Sequence, residues 1–331
     1  MDKELTITYN GAERGESIIL EWPSAKKERM IGIIDSGRGR MGKNAAIEFV
    51  QTNSIKIIEF ILLSHPHYNK YSGMLDLIEY CEKENILIRN FFHTSHLPAA
   101  GFESKDEFER LITIGSFTES SKRLLLNLFF KLNEMYKKGM YVAIIGSDFT
   151  LSLNKDLKLS ILSPSYTELT HAYKINYTRN SMVRAENNPA ANYLSTVTRI
   201  NTSEWQVLFT SDAMRETFQR ILGEDNVDLF AAKTVFFEAP HHGSQRSFDQ
   251  NFWSRLNIVS DSIGVFTQNR FWDYPNKEVI DYFSKKSKVF ILQDRLKRNM
   301  SEIEYGENIT AITSSAITVT ISSNGSSILT S

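Results

Sequence analysis

The chain reads as an α/β protein built as one αββα sandwich, two mixed β-sheets packed face to face and flanked by helices. Three observations predict this class. A block of short strands followed by alternating strands and helices occurs twice, once in each half of the 331 residues. Continuous apolar runs such as IKIIEFILLSH suit strands buried on both faces, as parallel sheets require. No linker rich in Gly, Pro or Ser divides the halves, so one domain over 1–331 is expected rather than two.

Taken in order, LTITYNG, SIILEW and RMIGIIDSG are short β-branched runs closed by turn residues, the signature of hairpin-connected strands. Residues 42–53 read as a helix, IKIIEFILLSH as a buried strand, 71–85 as a helix and 86–95 as a strand. Apolar positions spaced by three and four across 102–138 predict a helical insertion that covers the sheet. Strands resume at YVAIIGSDF and LKLSILSPS. The polar segment at about 165–191 breaks the pattern and reads as a long loop. NYLSTVTRI, EWQVLFTSDA and KTVFFEAPHHGS follow, with a helix near 214–223 between the last two. The final third adds SIGVFTQN, a helix at 276–286, KVFILQD and two terminal strands, AITVTISS and SSILTS.

The composition excludes several classes of function. Lys and Arg number 38 against 39 Asp and Glu, so no global cationic surface advertises nucleic acid or anionic lipid. A single cysteine, Cys81, rules out an intrachain disulfide framework and a thiolate-rich zinc site, and its apolar surroundings mark it as a small buried filler. No apolar run approaches the ~20 residues that cross a bilayer, so a cytoplasmic protein is expected.

The chemistry should lie where histidines cluster. Of the seven, His65 and His67 directly follow one buried apolar run, and His241 and His242 follow another. Two imidazoles at i and i+2 beyond a strand end can share one metal ion. Asp212 follows a third such run, QVLFTSDA. Three strand ends therefore deliver His65, His67, Asp212 and one or both of His241 and His242 to the side of the sheet where α/β ligand sites gather.

In this order the motifs resemble the metallo-β-lactamase fold superfamily, and within it the soluble ComEC-type hydrolase domain. SHPHYNKYSGM is similar to the signature HxHxDH followed by Gly, and IIDSG to the strand-end IDTG. NYLSTVTRI, FTSDA and APHHGS resemble NxxSLVL, LLTGDA and VPHHGS, and FTQNRFWDYPNKEVIDYF resembles the later block. The resemblance implies a hydrolase that uses divalent metal, zinc or manganese, on phosphodiester bonds of nucleic acid or nucleotides. It would place His65, His67, Asp212 and His242 on the metal. His241, Asp212, Asn69 and Lys70 would stand at the reaction, and Asn192, Ser195 and Ser244 near substrate.

The signature is degenerate, because Asn69 replaces the aspartate and Lys70 the last histidine. Those two positions build the second metal site in the family, so one ion is expected. Three readings follow. One ion could remain, with Lys70 standing in electrostatically for the other and steadying a phosphate. The chain could instead be an inactive subunit in a multi-protein complex, anti-phage defence being one setting such stand-alone domains suggest. It could also bind a nucleic-acid end without cutting it, with Arg179 and Arg184 of the polar loop contacting phosphate. Among other residues, His93 and His96 read as structural histidines and Asp35 as a cap for local backbone donors. His171 is open between substrate contact and solvated surface.

Overall fold

The computed structural model describes residues 3–11, 15–39, 42–94, 119–178, 191–268, 274–292, 308–312 and 316–330. Its strands are β1 (Lys3–Asn10), β2 (Ser17–Pro23), β3 (Arg29–Ile34), β4 (Ile57–Leu63), β5 (Leu87–His93), β6 (Tyr141–Ile144), β7 (Thr150–Ser152) and β8 (Lys158–Ser163). They continue with β9 (Val197–Asn201), β10 (Trp205–Phe209), β11 (Lys233–Glu238), β12 (Asn257–Thr267), β13 (Lys288–Leu292), β14 (Ile309–Ile312), β15 (Ala316–Ser322) and β16 (Ser327–Thr330).

They form two eight-stranded sheets, in the orders β16-β15-β1-β2-β3-β4-β5-β6 and β14-β13-β12-β11-β10-β9-β8-β7. Each sheet is mixed. Short connections join the antiparallel strands β1–β2–β3, β7–β8 and β9–β10, and β8 and β9 pair antiparallel across the helix Tyr166–Thr178. The pairing is parallel from β3 to β6 and from β10 to β14, with helices in the connections from β3 to β6 and from β10 to β13. The crossovers include helices Ala45–Thr52, Met74–Lys83, Arg215–Gly223, Gln250–Arg255 and Lys277–Ser284. Asn44 starts the first by accepting from the N–H groups of Ala46 and Ile47.

The core has three layers of contact. Trp22, Phe60 and Phe92 of one sheet meet Trp205, Phe209 and Phe236 of the other in the inter-sheet cluster. The outer face of the first sheet packs against the helices through Ile33, Ile61, Leu77, Cys81 and Phe129. The outer face of the second packs through Phe218, Phe237, Trp253 and Phe283. Runs such as IIEFILL carry no alternation because both faces of β4 are covered.

The helical insertion is present as Glu119–Lys137, and the remainder of the expected 102–138 span lies outside the described residues. The long loop expected at 165–191 is corrected over 166–178, and 179–190 lie outside the described residues. Tyr166–Thr178 is a helix. Ser165 Oγ accepts from Glu168 N–H at 3.2 Å while Glu168 Oε2 accepts from Ser165 N–H at 2.7 Å, the reciprocal pair of a capping box. The SYTE spacing encodes that start, and Leu169 and Ala172 of the helix pack with Leu194.

Candidate metal centre

The parallel strands of both sheets end at one place. Asp35 follows β3, Ser64 and His65 follow β4, Ser211 and Asp212 follow β10, and Thr267 closes β12. Glu238 closes β11, with His241 and His242 in the turn after it. The chain turns sharply at these ends, and four non-glycine residues take left-handed backbone: Asp35 (φ 60°), Ser211 (φ 48°), His241 (φ 47°) and His242 (φ 60°). Each such residue costs about 1–3 kcal/mol unless its surroundings hold it, and such residues concentrate at functional sites.

Asp212 has two sides. Its Oδ2 faces imidazoles, with His65 Nε2 at 3.3 Å, His67 Nδ1 at 3.4 Å and His241 Nε2 at 4.0 Å. His65 Nε2 and His67 Nδ1 lie 2.9 Å apart. Metal bonds of about 2.0–2.1 Å in a tetrahedron set neighbouring donors about 3.3 Å from one another. The donor atoms of His65, His67 and Asp212, all within 4.8 Å of one another, therefore suit one ion. Access is from the His67 and His241 side, whose side chains are 27% and 19% exposed while that of His65 is fully buried.

Asp212 Oδ1 faces a different neighbourhood. It is buried with no hydrogen-bond partner among the described residues, and Lys70 Nζ lies 3.8 Å away and His242 Nε2 3.7 Å away. Lys70 forms an ion pair with Glu16, and its side chain is 1% exposed. Glu16 also accepts from Thr267 Oγ1 at 3.1 Å and pairs with His242 Nδ1 at 3.1 Å. Backbone bonds pin the pair: Glu16 N–H donates to Asn69 O at 3.0 Å, Gly37 N–H to Glu16 O at 2.9 Å and Ser36 N–H to Lys70 O at 2.8 Å. Gly37 lies so close to this strap that a Cβ would meet Asn69 O at 1.9 Å.

The remaining ring nitrogens are held from outside the cluster. His65 Nδ1 lies 3.0 Å from Ser211 Oγ, His241 Nδ1 3.1 Å from Ser247 Oγ and His242 Nδ1 2.5 Å from Thr267 Oγ1. Such partners fix ring orientation and tautomer, as around metal ligands. Glu238 steadies the Asp212 turn, its Oε2 accepting from Thr210 and Ser211 N–H at 2.8 Å and its Oε1 from Tyr9 OH at 2.6 Å.

Four buried carboxyl groups thus surround one ammonium. Burial pushes Asp35 up to about 7 and raises Glu238, with Lys70 opposing both shifts. Burial alone would also raise Asp212, but Lys70 and then His241 and His65 hold it well below the usual carboxylate range. Burial lowers His65 to about 3 and His241 to about 4, so both rings are neutral and able to ligate at neutral pH. Burial opposes charge on Lys70 as well, but Glu16 and Asp212 hold it firmly protonated. A divalent cation among the imidazoles would balance the excess of carboxylates, so both donor spacing and charge fit one ion.

The expected residues divide accordingly. His65, His67, Asp212, His241, His242 and Lys70 converge. The imidazole sharing Oδ2 with His65 and His67 belongs to His241, whereas His242 sits on the Lys70 side, the reverse of the assignment expected for that pair. Lys70 faces the cluster but is enclosed by it, so it is not presented to an incoming phosphate. Asn69 contributes a backbone carbonyl to the strap.

Asn192, Ser195 and Ser244 are buried near the strand ends. Asn192 Nδ2 donates to Met214 Sδ at 3.7 Å, Thr196 N–H to Ser64 O at 3.0 Å and Ser244 N–H to His241 O at 3.0 Å. The oxygens Asn192 Oδ1, Ser195 Oγ and Ser244 Oγ lack hydrogen-bond partners among the described residues. Arg179, Arg184 and His96 lie outside the described residues. His93 is buried with its ring edge-on to Phe129 at 5.2 Å, and His171 is exposed beside Tyr193. Sequence reasoning missed Glu16 and Glu238. Glu238 left a signal, a lone charge inside the apolar run VFFEA, whereas Glu16 sits in a turn where acidic residues are common.

The αββα sandwich expected from the sequence is present, with His65, His67 and Asp212 gathered at the strand ends of both sheets. No protein-family model matches the chain, and no curated protein matches it. Among solved structures, it resembles a diphosphatase from the PhnP family at 9% identity over 93% of this chain and 94% of that one, with a TM-score of 0.42. It resembles the metallo-β-lactamase fold protein YhfI from Bacillus subtilis at 9% identity over 95% and 98%, TM-score 0.42. Zn²⁺-bound PqqB from Methylobacterium extorquens is similar at 10% identity over 93% and 97%, TM-score 0.44. Among the described residues, no helix is long and apolar enough to cross a membrane.

Proposed function

We propose that this chain is a metal-dependent hydrolase working with a single divalent ion held by His65, His67, Asp212 and His241, and that its substrates are phosphodiesters of nucleotides or nucleic acid. The observation that carries the reading is the convergence of His65 Nε2, His67 Nδ1 and Asp212 Oδ2 at 2.9–3.4 Å from one another. A donor set dominated by imidazole favours zinc over manganese. When bound, such an ion supplies Lewis acidity, drawing charge from a phosphoryl oxygen and making water more acidic.

The protein's own groups do the rest. Asp212 presents one oxygen to the ion and the other to Lys70, so the ammonium supplies fixed positive charge where a second dication would otherwise sit. That charge needs no reorganisation during reaction, because Glu16 and the backbone strap already hold it. The partly exposed rings of His67 and His241 line the approach. The oxygens of Asn192, Ser195 and Ser244 are buried without partners among the described residues, so these residues are assigned to shaping the wall of the site rather than to direct contact with substrate. Arg179 and Arg184 are assigned to phosphate by charge and by their place in the chain.

The reading is tested by hydrolysis of bis(p-nitrophenyl) phosphate and of a single-stranded oligonucleotide by metal-free and zinc-reloaded protein. Activity that appears only on reloading supports it. A second reading, an inactive subunit that binds partners, is favoured by one observation, the Lys70–Glu16 pair in the second cation position. Protein that takes up zinc yet hydrolyses neither substrate would establish that reading instead.

A further inference from the structure

Ser211 stands in left-handed backbone at φ 48°, a conformation in which a Cβ is strained and glycine is not. Its side chain occupies the middle of a buried hydroxyl chain. Ser64 Oγ donates to Asp35 Oδ2 at 2.6 Å, while Asp35 Oδ1 accepts Ser64 N–H at 2.7 Å. Ser211 Oγ donates to Ser64 Oγ at 3.0 Å, and His65 Nδ1 lies 3.0 Å from Ser211 Oγ, its nearer hydroxyl, and 3.2 Å from Ser64 Oγ.

Each hydroxyl has one proton, so the direction of the chain follows by counting. At pH 8, above the value of about 7 to which burial lifts it, Asp35 is ionised and only accepts, so the Ser64 proton points to it. Ser64 Oγ must then accept, which takes the Ser211 proton. Ser211 Oγ must accept in turn, and the donor facing it is His65 Nδ1–H. The ring is thereby fixed with its proton on Nδ1 and a bare lone pair on Nε2, the atom facing His67 Nδ1 and Asp212 Oδ2.

We propose that Ser211 is a positioning residue: it accepts a strained backbone in order to complete the relay Asp35–Ser64–Ser211–His65, which holds His65 in the one tautomer that can ligate an ion through Nε2. The inference rests on the single-ion reading above and adds a residue to it that contacts no ion. Glu238 holds the strained turn from the other side by accepting Ser211 N–H at 2.8 Å. Backbone retention and hydroxyl orientation are thus supplied by different partners and can be separated by mutation.

The test compares wild type, Ser211→Gly and Ser211→Ala at pH 8. Zinc affinity is measured by competition with a chromophoric chelator, the His65 tautomer by long-range ¹H–¹⁵N NMR of the metal-free protein, and stability by thermal unfolding. Glycine relieves the strain and alanine keeps it, and both delete the hydroxyl. Zinc affinity should fall about 10-fold or more in both variants. The melting temperature should hold or rise in Ser211→Gly and fall in Ser211→Ala. The wild-type His65 should show the Nδ1–H form, and the variants a mixture. Affinities within twofold of wild type, or an Nε2–H ring in wild type, would overturn the inference. Wild type that binds no zinc overturns the single-ion reading instead, and the tautomer comparison still decides the relay.

Discussion

Lys70 and Glu16 form an ion pair enclosed by the protein on the Oδ1 side of Asp212, opposite the oxygen that faces the imidazoles. An unpaired buried charge is costly, so the two residues depend on one another. Glu16→Gln should destabilise the protein by about 3–5 kcal/mol in denaturant unfolding, and adding Lys70→Met should restore most of the loss. A single variant as stable as wild type would show that the pair is not held as described.

The same pair sets a pH dependence. Burial alone would raise Glu16, but Lys70 and then His242 outweigh it and hold the carboxyl down to about 2. A folded value below the ordinary 4.5 means the unfolded chain binds the proton more readily. This contribution is complete above about pH 4.5 and is lost as pH falls through about 2, a change of about 3 kcal/mol. The difference in unfolding free energy between wild type and the Glu16→Gln Lys70→Met double variant, small at pH 6, should therefore move by about 3 kcal/mol in favour of the double variant as pH falls to 2.

Asp35 sets the direction of the hydroxyl relay. In Asp35→Asn an amide N–H would donate to Ser64, the two hydroxyls would reverse, and Ser211 would donate to His65 Nδ1. That leaves the proton on Nε2, the kind of tautomer error that disables a serine-protease triad when its aspartate becomes an amide. Zinc affinity should fall by more than the ~10-fold expected on loss of the Ser211 hydroxyl, while far-UV circular dichroism is unchanged. Unchanged affinity would contradict the relay.

The second cation position should be recoverable. Asn69→Asp with Lys70→His removes the ammonium beside Asp212 Oδ1 and restores the aspartate and histidine of the HxHxDH signature. Equilibrium dialysis should then give about two zinc ions per chain in place of about one. A stoichiometry unchanged from wild type would mean that Lys70 does not occupy that position.

Much of the fold was legible because its signals are local or periodic. Largely apolar runs such as IIEFILL gave the doubly covered strands, and the turn residues after them gave the ends at which His65, Asp212 and His241 sit. The helix at Tyr166–Thr178 was missed because polarity was weighed above the Ser165–Glu168 capping pair. The partners of the site were less legible. Glu16 meets Lys70 across 54 residues and Ser211 meets His65 across 146, contacts that no spacing rule encodes. The substitution of Lys70 was visible, but its burial against Glu16 depends on how the segment around Gly37 folds over Asn69.

The claim beneath these predictions is that His65, His67 and Asp212 hold an ion together. The most direct measurement is metal content by plasma mass spectrometry of protein purified without chelator, alongside the His65→Ala His67→Ala double variant. The account predicts about one zinc per chain in wild type and almost none in a double variant that still unfolds cooperatively. Wild-type protein that carries no metal and takes up neither zinc nor manganese on titration would contradict it.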